Sequence, residues 1–304
     1  MVRRQRVKIA LMSLAVLGLC SLSVQGGYLL FLWRSNAPVR ETYLPQPGGS
    51  LIICGGGTMP ERVWQCFVDL AGGRNARLVI IPSYEPSPKE RTRLLESWRN
   101  CGAASVVVLH AASRRQSDDP QFVKPLAQAT GVWLSGGQQS HLSERYVDTE
   151  VERQLKALLD RNGVIGGSSA GAAAMTRVMI GGGLSAAVKE RGFDLLPGIV
   201  VDQHFLYRNR IQRLLGILNA HPGLVGLGID ERTAVLVQRK GRACTVLGDS
   251  YAVVCLPQQQ SFPRIEILKA DDRTDIEVLK QQPGEHAISS PAALKRFLDS
   301  EAVR

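Results

Sequence analysis

The stretch Gly167-Ser168-Ser169-Ala170-Gly171 carries the clearest chemical pattern in this chain. It is a Gly-x-Ser-x-Gly sequence, entered through apolar Val164 and Ile165 and left through the small residues Ala172 to Ala174. A strand that turns sharply into a helix would hold Ser169 on strained backbone with its hydroxyl clear of the sheet. Side chains at 167 or 171 would collide with the neighbouring strand or helix, so glycine is required there. The N–H of Ala170 would point at the oxyanion that forms when the hydroxyl attacks a carbonyl. The chemistry this arrangement serves is acyl transfer through a serine nucleophile.

A serine hydroxyl needs a base, because it is almost fully protonated at neutral pH. Of the five histidines, His204 is the best placed. It ends a short apolar run, Ile199 to Val201, is flanked by polar Asp202 and Gln203, and precedes a helical pattern that would fix it. His141, shortly after Gly136-Gly-Gln-Gln139, ranks second. A carboxylate should hold the imidazole in the right tautomer. Glu190, Asp194 and Asp202 are in range. Glu190 lies between nucleophile and base in the chain, the order found in α/β hydrolases, and takes a slight lead; the choice stays open. Gly55-Gly-Gly57 lacks the Lys-Ser/Thr of a phosphate loop, but an N–H of Gly56 or Gly57 would serve as a second oxyanion donor.

Behind these residues, short apolar runs alternate with helical patterns. Leu51–Cys54, Arg77–Pro82, Ser105–Leu109, Gly131–Ser135 and the lead into Ser169 read as strands. The segment from Glu144 to Asp160 reads as one long helix, with Val147, Val151, Leu155, Leu158 and Leu159 on one face. Strand–helix alternation implies an α/β fold: a three-layer, doubly wound, mostly parallel sheet with helices on both faces. Runs at 234–238, 243–246 and 252–254 are expected to complete that sheet as antiparallel strands. Ligands on such sheets bind beyond the carboxyl ends of the strands. Gly55–Gly57, Gly136–Gln139 and Ser169 all fall there.

The chain has 304 residues, 44% of them hydrophobic, which is ordinary for a globular protein with a large core. Its net charge of +10 is partly terminal, from Arg3, Arg4, Arg6 and Lys8, and otherwise spread out. Without a dense basic block, nucleic acid is not expected as a partner. From Ile9 to Trp33 no residue is charged. As a helix this stretch would run about 38 Å, enough to cross a bilayer. Residues 1–34 are therefore expected to form an N-terminal membrane helix, with the catalytic domain outside the cytoplasm; a signal peptide, cleaved to release the domain, is the rival reading. Residues 35–50 read as a linker, 51–270 as the hydrolase domain and 271–304 as a C-terminal extension. No Cys-x-x-Cys pair occurs among the six cysteines, which argues against a structural zinc site; with no metal-ligand cluster and no cofactor motif in the sequence neither is expected, and one disulfide of undetermined pairing is compatible with an oxidising compartment. The expected partners are a peptide or isopeptide substrate and the membrane, with a homodimer left open.

Several blocks together resemble the cyanophycinase family: Ser-Ser-Ala-Gly-Ala (168–172), Leu-Pro-Gly (196–198), Asp-Gln-His-Phe (202–205) with Arg208 and Arg210, and Gly-Ile-Asp-Glu-x-Thr-Ala (228–234). Those enzymes are serine hydrolases of the dipeptidase E group, peptidase family S51, with a fold similar to class I glutamine amidotransferases. The resemblance covers roughly residues 50 to 256. It implies cleavage beside β-linked aspartyl residues, Ser169 as nucleophile, His204 as base, and a substrate site shaped by Gln139, Asp202, Gln203 and Arg208 or Arg210. The chain departs from the family where Gln138 replaces the usual Asp and where Met179-Ile180 runs into Gly181-Gly-Gly183 rather than an acidic residue. Two rival readings accompany this one: an inactive relative that only binds, and an esterase or amidase with the same machinery.

Overall fold

A computed structural model describes residues 43–183, 188–238, 243–258 and 261–300. From Tyr43 onward the chain forms one unit. The first half follows the alternation read from the sequence. Strands β1 (Ser50–Cys54), β2 (Arg77–Ile81), β3 (Ser105–Val108), β4 (Gly131–Leu134) and β5 (Val164–Ser168) pair in parallel in the order β1-β5-β4-β2-β3. Helices α1 (Glu61–Leu70), α2 (Pro88–Asn100), α3 (Pro120–Gln128), α4 (Gln139–Tyr146) and α5 (Glu150–Asp160) connect them.

Period-two side-chain alternation decides what each face buries. Leu51, Ile53, Val79 and Ile81 face one apolar cluster with Tyr146, Val151 and Leu155. Ile52, Cys54, Leu78 and Ile80 face the other, with Val63, Phe67 and Trp98. On that second face Trp64, Phe67, Trp98 and Trp133 form a ring network with centroids 4.8–5.2 Å apart. Burial pushes the Cys54 thiol up and the Cys255 thiol up to about 12. Cys54, Cys101 and Cys255 are free thiols.

The long helix expected over Glu144–Asp160 is two helices. Asp148, at φ 59°, breaks it. Glu152 Oε2 then accepts a bond from the Asp148 N–H at 2.6 Å, and Thr149 Oγ1 donates to Tyr146 O at 2.6 Å, so the break satisfies its own polar groups.

The expectation of one doubly wound sheet is also corrected. Among the described residues the strands form three sheets. β6 (Val178–Gly182) and β7 (Val188–Arg191) make a two-stranded antiparallel ribbon. β8 (Ile199–Gln203) and β9 (Val225–Ile229) pair in parallel and continue through β12 (Ala252–Leu256), β13 (Arg264–Leu268) and β15 (Ala287–Ile288) as a separate five-stranded sheet. The reason lies at the free edge of β1. Antiparallel β10 (Thr233–Gln238) occupies it over its whole length, from Ser50↔Gln238 to Cys54↔Ala234. β11 (Ala243–Gly248) and β14 (Arg273–Asp275) extend that side to eight strands. With that edge taken, β8 and β9 build a second sheet instead. Its inner residues Ile199, Val201, Val225 and Leu227 join the cluster under β1 and β10. Its outer face, with Val200, Val253 and Cys255, is covered by helix α7 (Ile211–Ala220), which follows the single-turn helix α6 (Ala170–Ala173), and by Leu294 and Phe297 of the C-terminal segment.

The expected membrane helix and the placement outside the cytoplasm are corrected too. No helix of the described residues is long and apolar enough to cross a membrane. The stretch on which both expectations were read, 9–33, lies outside those residues.

Candidate active site

Ser169 sits between the last residue of β5 and the first of α6, at φ 52° and ψ −109°. Backbone of this kind costs a non-glycine residue about 1–3 kcal/mol and persists only where the surroundings enforce it. Here they do. The Ser169 N–H donates to Cys54 O at 3.0 Å, tying the turn to β1. A Cβ at Gly171 would lie 2.0 Å from Leu134 O, and one at Gly167 would lie 2.7 Å from the Gly171 carbonyl carbon. The turn can therefore close against β4 only with glycine at both positions.

His204 comes from the other sheet. It follows the end of β8 at φ 50°. Its N–H donates to Gly55 O at 2.8 Å, and the N–H of Phe205 donates to Ile229 O at 3.1 Å. The turn after it is clamped by Asp230, whose Oδ1 accepts from Leu206 N at 3.1 Å and Tyr207 N at 2.8 Å. Ser250 Oγ donates to the second oxygen of Asp230 at 2.8 Å. The imidazole lies against Gly56, where a Cβ would come within 2.2 Å of its Cε1. So held, His204 Nε2 stands 2.8 Å from Ser169 Oγ, and Nδ1 stands 2.6 Å from Glu231 Oε1. A carboxylate only accepts hydrogen bonds, so Nδ1 carries the ring proton and the Nε2 lone pair faces the serine hydroxyl. Burial pushes the His204 pKa below its ordinary value; the Glu231 bond pulls it back up, and the charge of Arg208 pushes it down again. The net effect keeps the imidazole neutral near pH 7, the form that can accept a proton.

The carboxylate on the imidazole is thus Glu231, in the turn between β9 and β10, and not Glu190. Glu190 lies on β7 opposite Met179, with Oε1 occupying the space a side chain at Gly181 would take. Burial and the nearby Glu144 raise its pKa. It does not take the role because the Nδ1 of His204 is already bonded to Glu231, while Glu190 stays on the β6–β7 ribbon against Gly181. The imidazole on Ser169 is that of His204; His141 lies in the first turn of α4.

Other residues named from the sequence are distributed differently. Gly57 stands against Glu231, where a Cβ would lie 2.9 Å from Oε2. Gln139 donates from Nε2 to Ile180 O at 2.7 Å and so fastens α4 to β6. Asp202 is held in a fully buried ion pair: Arg213 Nε donates to its Oδ2 at 2.9 Å, Arg213 Nη2 to its Oδ1, and Arg210 Nη1 lies 3.7 Å away. Arg210 also donates to Gln203 O at 2.7 Å, and burial pushes its pKa down to about 10. Arg208 is exposed. Arg213 and Glu231 are the residues the sequence reading missed. Glu231 had a signal, an acidic pair Asp230-Glu231 leaving an apolar strand, but its order after the histidine hid it. Among the described residues no group of three His, Cys, Asp or Glu side chains is placed to hold a metal.

A half-buried serine–histidine–carboxylate relay at the meeting of two sheets has the arrangement of a serine hydrolase site, and comparison with known proteins narrows the class. Residues 51–244 match the model of peptidase family S51, and the chain belongs to that family of serine-type peptidases. It is 33% identical over 239 residues to a cyanophycinase of Synechococcus elongatus, covering 74% of each chain. It is also 31% identical over 285 residues to a cyanophycinase of Nostoc sp. strain PCC 7120, covering 84% of this chain and 95% of that one. The fold is similar to the crystal structure of a peptidase from an acI-B1 Actinobacterium, with a TM-score of 0.57 at 20% identity, over 75% of this chain and 96% of that one.

Proposed function

We propose that this peptidase cleaves β-aspartyl peptides of the cyanophycin kind through an acyl-enzyme formed on Ser169. The observation that carries the reading is the unbroken chain Ser169 Oγ, His204 Nε2, His204 Nδ1, Glu231 Oε1, with links of 2.8 and 2.6 Å. His204 takes the Ser169 proton as Oγ bonds to the scissile carbonyl carbon. Glu231 stabilises the imidazolium that results. The oxyanion is held by the N–H of Ala170 and by one from Gly56 or Gly57. As the C–N bond breaks, His204 returns its proton to the leaving amine. Water, deprotonated by the same imidazole, then attacks the ester and releases the acid and the Ser169 hydroxyl.

The substrate assignment draws on the named activity of the relatives and on a charged group near His204. Exposed Arg208 supplies positive charge for a substrate carboxylate. Ser169→Ala should reduce hydrolysis of β-aspartyl-arginine peptides by roughly a million-fold in kcat. A fluorophosphonate probe should label the wild-type chain and not this variant. Undiminished turnover by the variant would end the assignment.

A further inference from the structure

We infer that Ser83 is a positioning residue for the reaction: its hydroxyl turns the Gly136–Gly137 peptide so that the Gly137 N–H faces Ser169 and the oxyanion formed there. This rests on the reading of Ser169 as the nucleophile. Ser83 follows β2, and β4 stands between β2 and β5. Any effect of Ser83 on the nucleophile therefore passes through the loop after β4.

Ser83 is 1% exposed, and a buried hydroxyl needs partners. Both of them lie in that loop. Ser83 Oγ donates to Gly136 O at 2.9 Å and accepts from Gln138 N at 3.3 Å. Arg145 Nη1 holds the backbone of the same serine, donating to Ser83 O at 3.5 Å. The loop closes tightly over the hydroxyl: at Gly137, which has φ 128°, a Cβ would lie 2.1 Å from Ser83 Oγ. Its opposite side meets the nucleophile. A Cβ at Gly136 would lie 3.4 Å from Ser168 O and 3.6 Å from Ser169 Cβ.

These contacts set the direction of one N–H. The described residues hold no cis peptide, and in a trans peptide the N–H points opposite to the C=O. The Gly136 carbonyl points to Ser83, on the β2 side of β4. The Gly137 N–H therefore points the other way, toward the β5 side where Ser169 stands. No acceptor among the described residues takes it, and Gly137 is exposed. A free donor aimed at developing negative charge lowers the barrier to acyl transfer. Gly56 and Gly57 lie against His204 and Glu231, so the Gly137 N–H adds a donor on the side that the imidazole leaves open.

The test follows acylation of Ser169 and needs no natural substrate. With a fluorophosphonate, Oγ bonds to phosphorus, His204 takes the proton and fluoride leaves, while the P=O occupies the oxyanion site. The thiophosphonate counterpart puts P=S there, a much weaker acceptor. Ser83→Ala should slow labelling by the first probe roughly 10- to 100-fold, and labelling by the second less than about threefold. Ser83→Cys, close in size and a weak hydrogen-bonding partner, should fall between wild type and Ser83→Ala. The pH dependence of labelling should not move, because His204 and Glu231 are untouched. Labelling of either variant at the wild-type rate, equal slowing with both probes, or a shifted pH profile would overturn the assignment, since a general loosening of the fold slows both probes alike. A wild-type chain that neither probe labels would strike the proposed function itself, and this assignment with it.

Discussion

Asp202 and His204 stand two residues apart at the end of one strand, each hydrogen-bonded to a partner side chain, Arg213 and Glu231 respectively, and the two pairs are built for opposite ends. Asp202 and Arg213 are 0% and 2% exposed at the side chain, with two bonds between them and a third from Arg213 Nη1 to Gly183 O. Nothing in that pair is free to change its bonding. His204 and Glu231 are 11% and 23% exposed and share one bond, and the remaining ring nitrogen faces a hydroxyl. A saturated pair anchors the ribbon and helix around it. An unsaturated one, at the surface of the same wall, can pass a proton. The difference comes from the number of unmet hydrogen-bonding positions rather than from the charges themselves.

Variants that break the two pairs should therefore fail in different ways. The largest effect is expected from His204→Ala, which should lower kcat for β-aspartyl peptides by about a million-fold while leaving the thermal midpoint within a few degrees of wild type. Glu231→Gln should lower kcat by roughly ten-thousand-fold, because the amide no longer fixes the tautomer. It should also move the acid limb of kcat/KM to lower pH, since the lost carboxylate was raising the imidazole pKa. Asp202→Asn should act on stability: an uncompensated buried guanidinium costs about 3–5 kcal/mol, seen as a thermal midpoint lower by roughly 6–20 °C, with kcat reduced far less. The smallest effect concerns pH in the intact protein. Activity should persist as pH falls through about 6.5 and decline only at a lower value, because the folded imidazole holds its proton less tightly than a free one. The unfolded chain takes up that proton first. The group's contribution is therefore lost as pH drops from about 6.5 toward the folded pKa and is level above that window.

How much of this was legible depended on whether the determining contacts were local. The apolar runs 51–54 and 164–165 and the glycines 167 and 171 announce a parallel strand and a tight turn on their own, and both are there. The runs 199–201 and 225–229 look no different in composition, yet they belong to another sheet. What separates them is the pairing of β10 on the β1 edge, a contact between residues some 180 positions apart. Glu231 was hidden by a similar non-local fact. Its turn is where the chain crosses from the second sheet to the first, and it meets His204 only because Gly55 O and Gly56 O bind the N–H groups of His204 and Arg232, at 2.8 Å each.

Those two carbonyls have a wider consequence. They are the rivets of a seam: nucleophile on one plate, imidazole on the other, carboxylate on the strap that joins them. A slippage of one residue spacing, too slight to disturb either plate internally, would part the hydroxyl from the ring. Competence in this molecule is therefore a gauge of alignment between two sheets that share one apolar cluster.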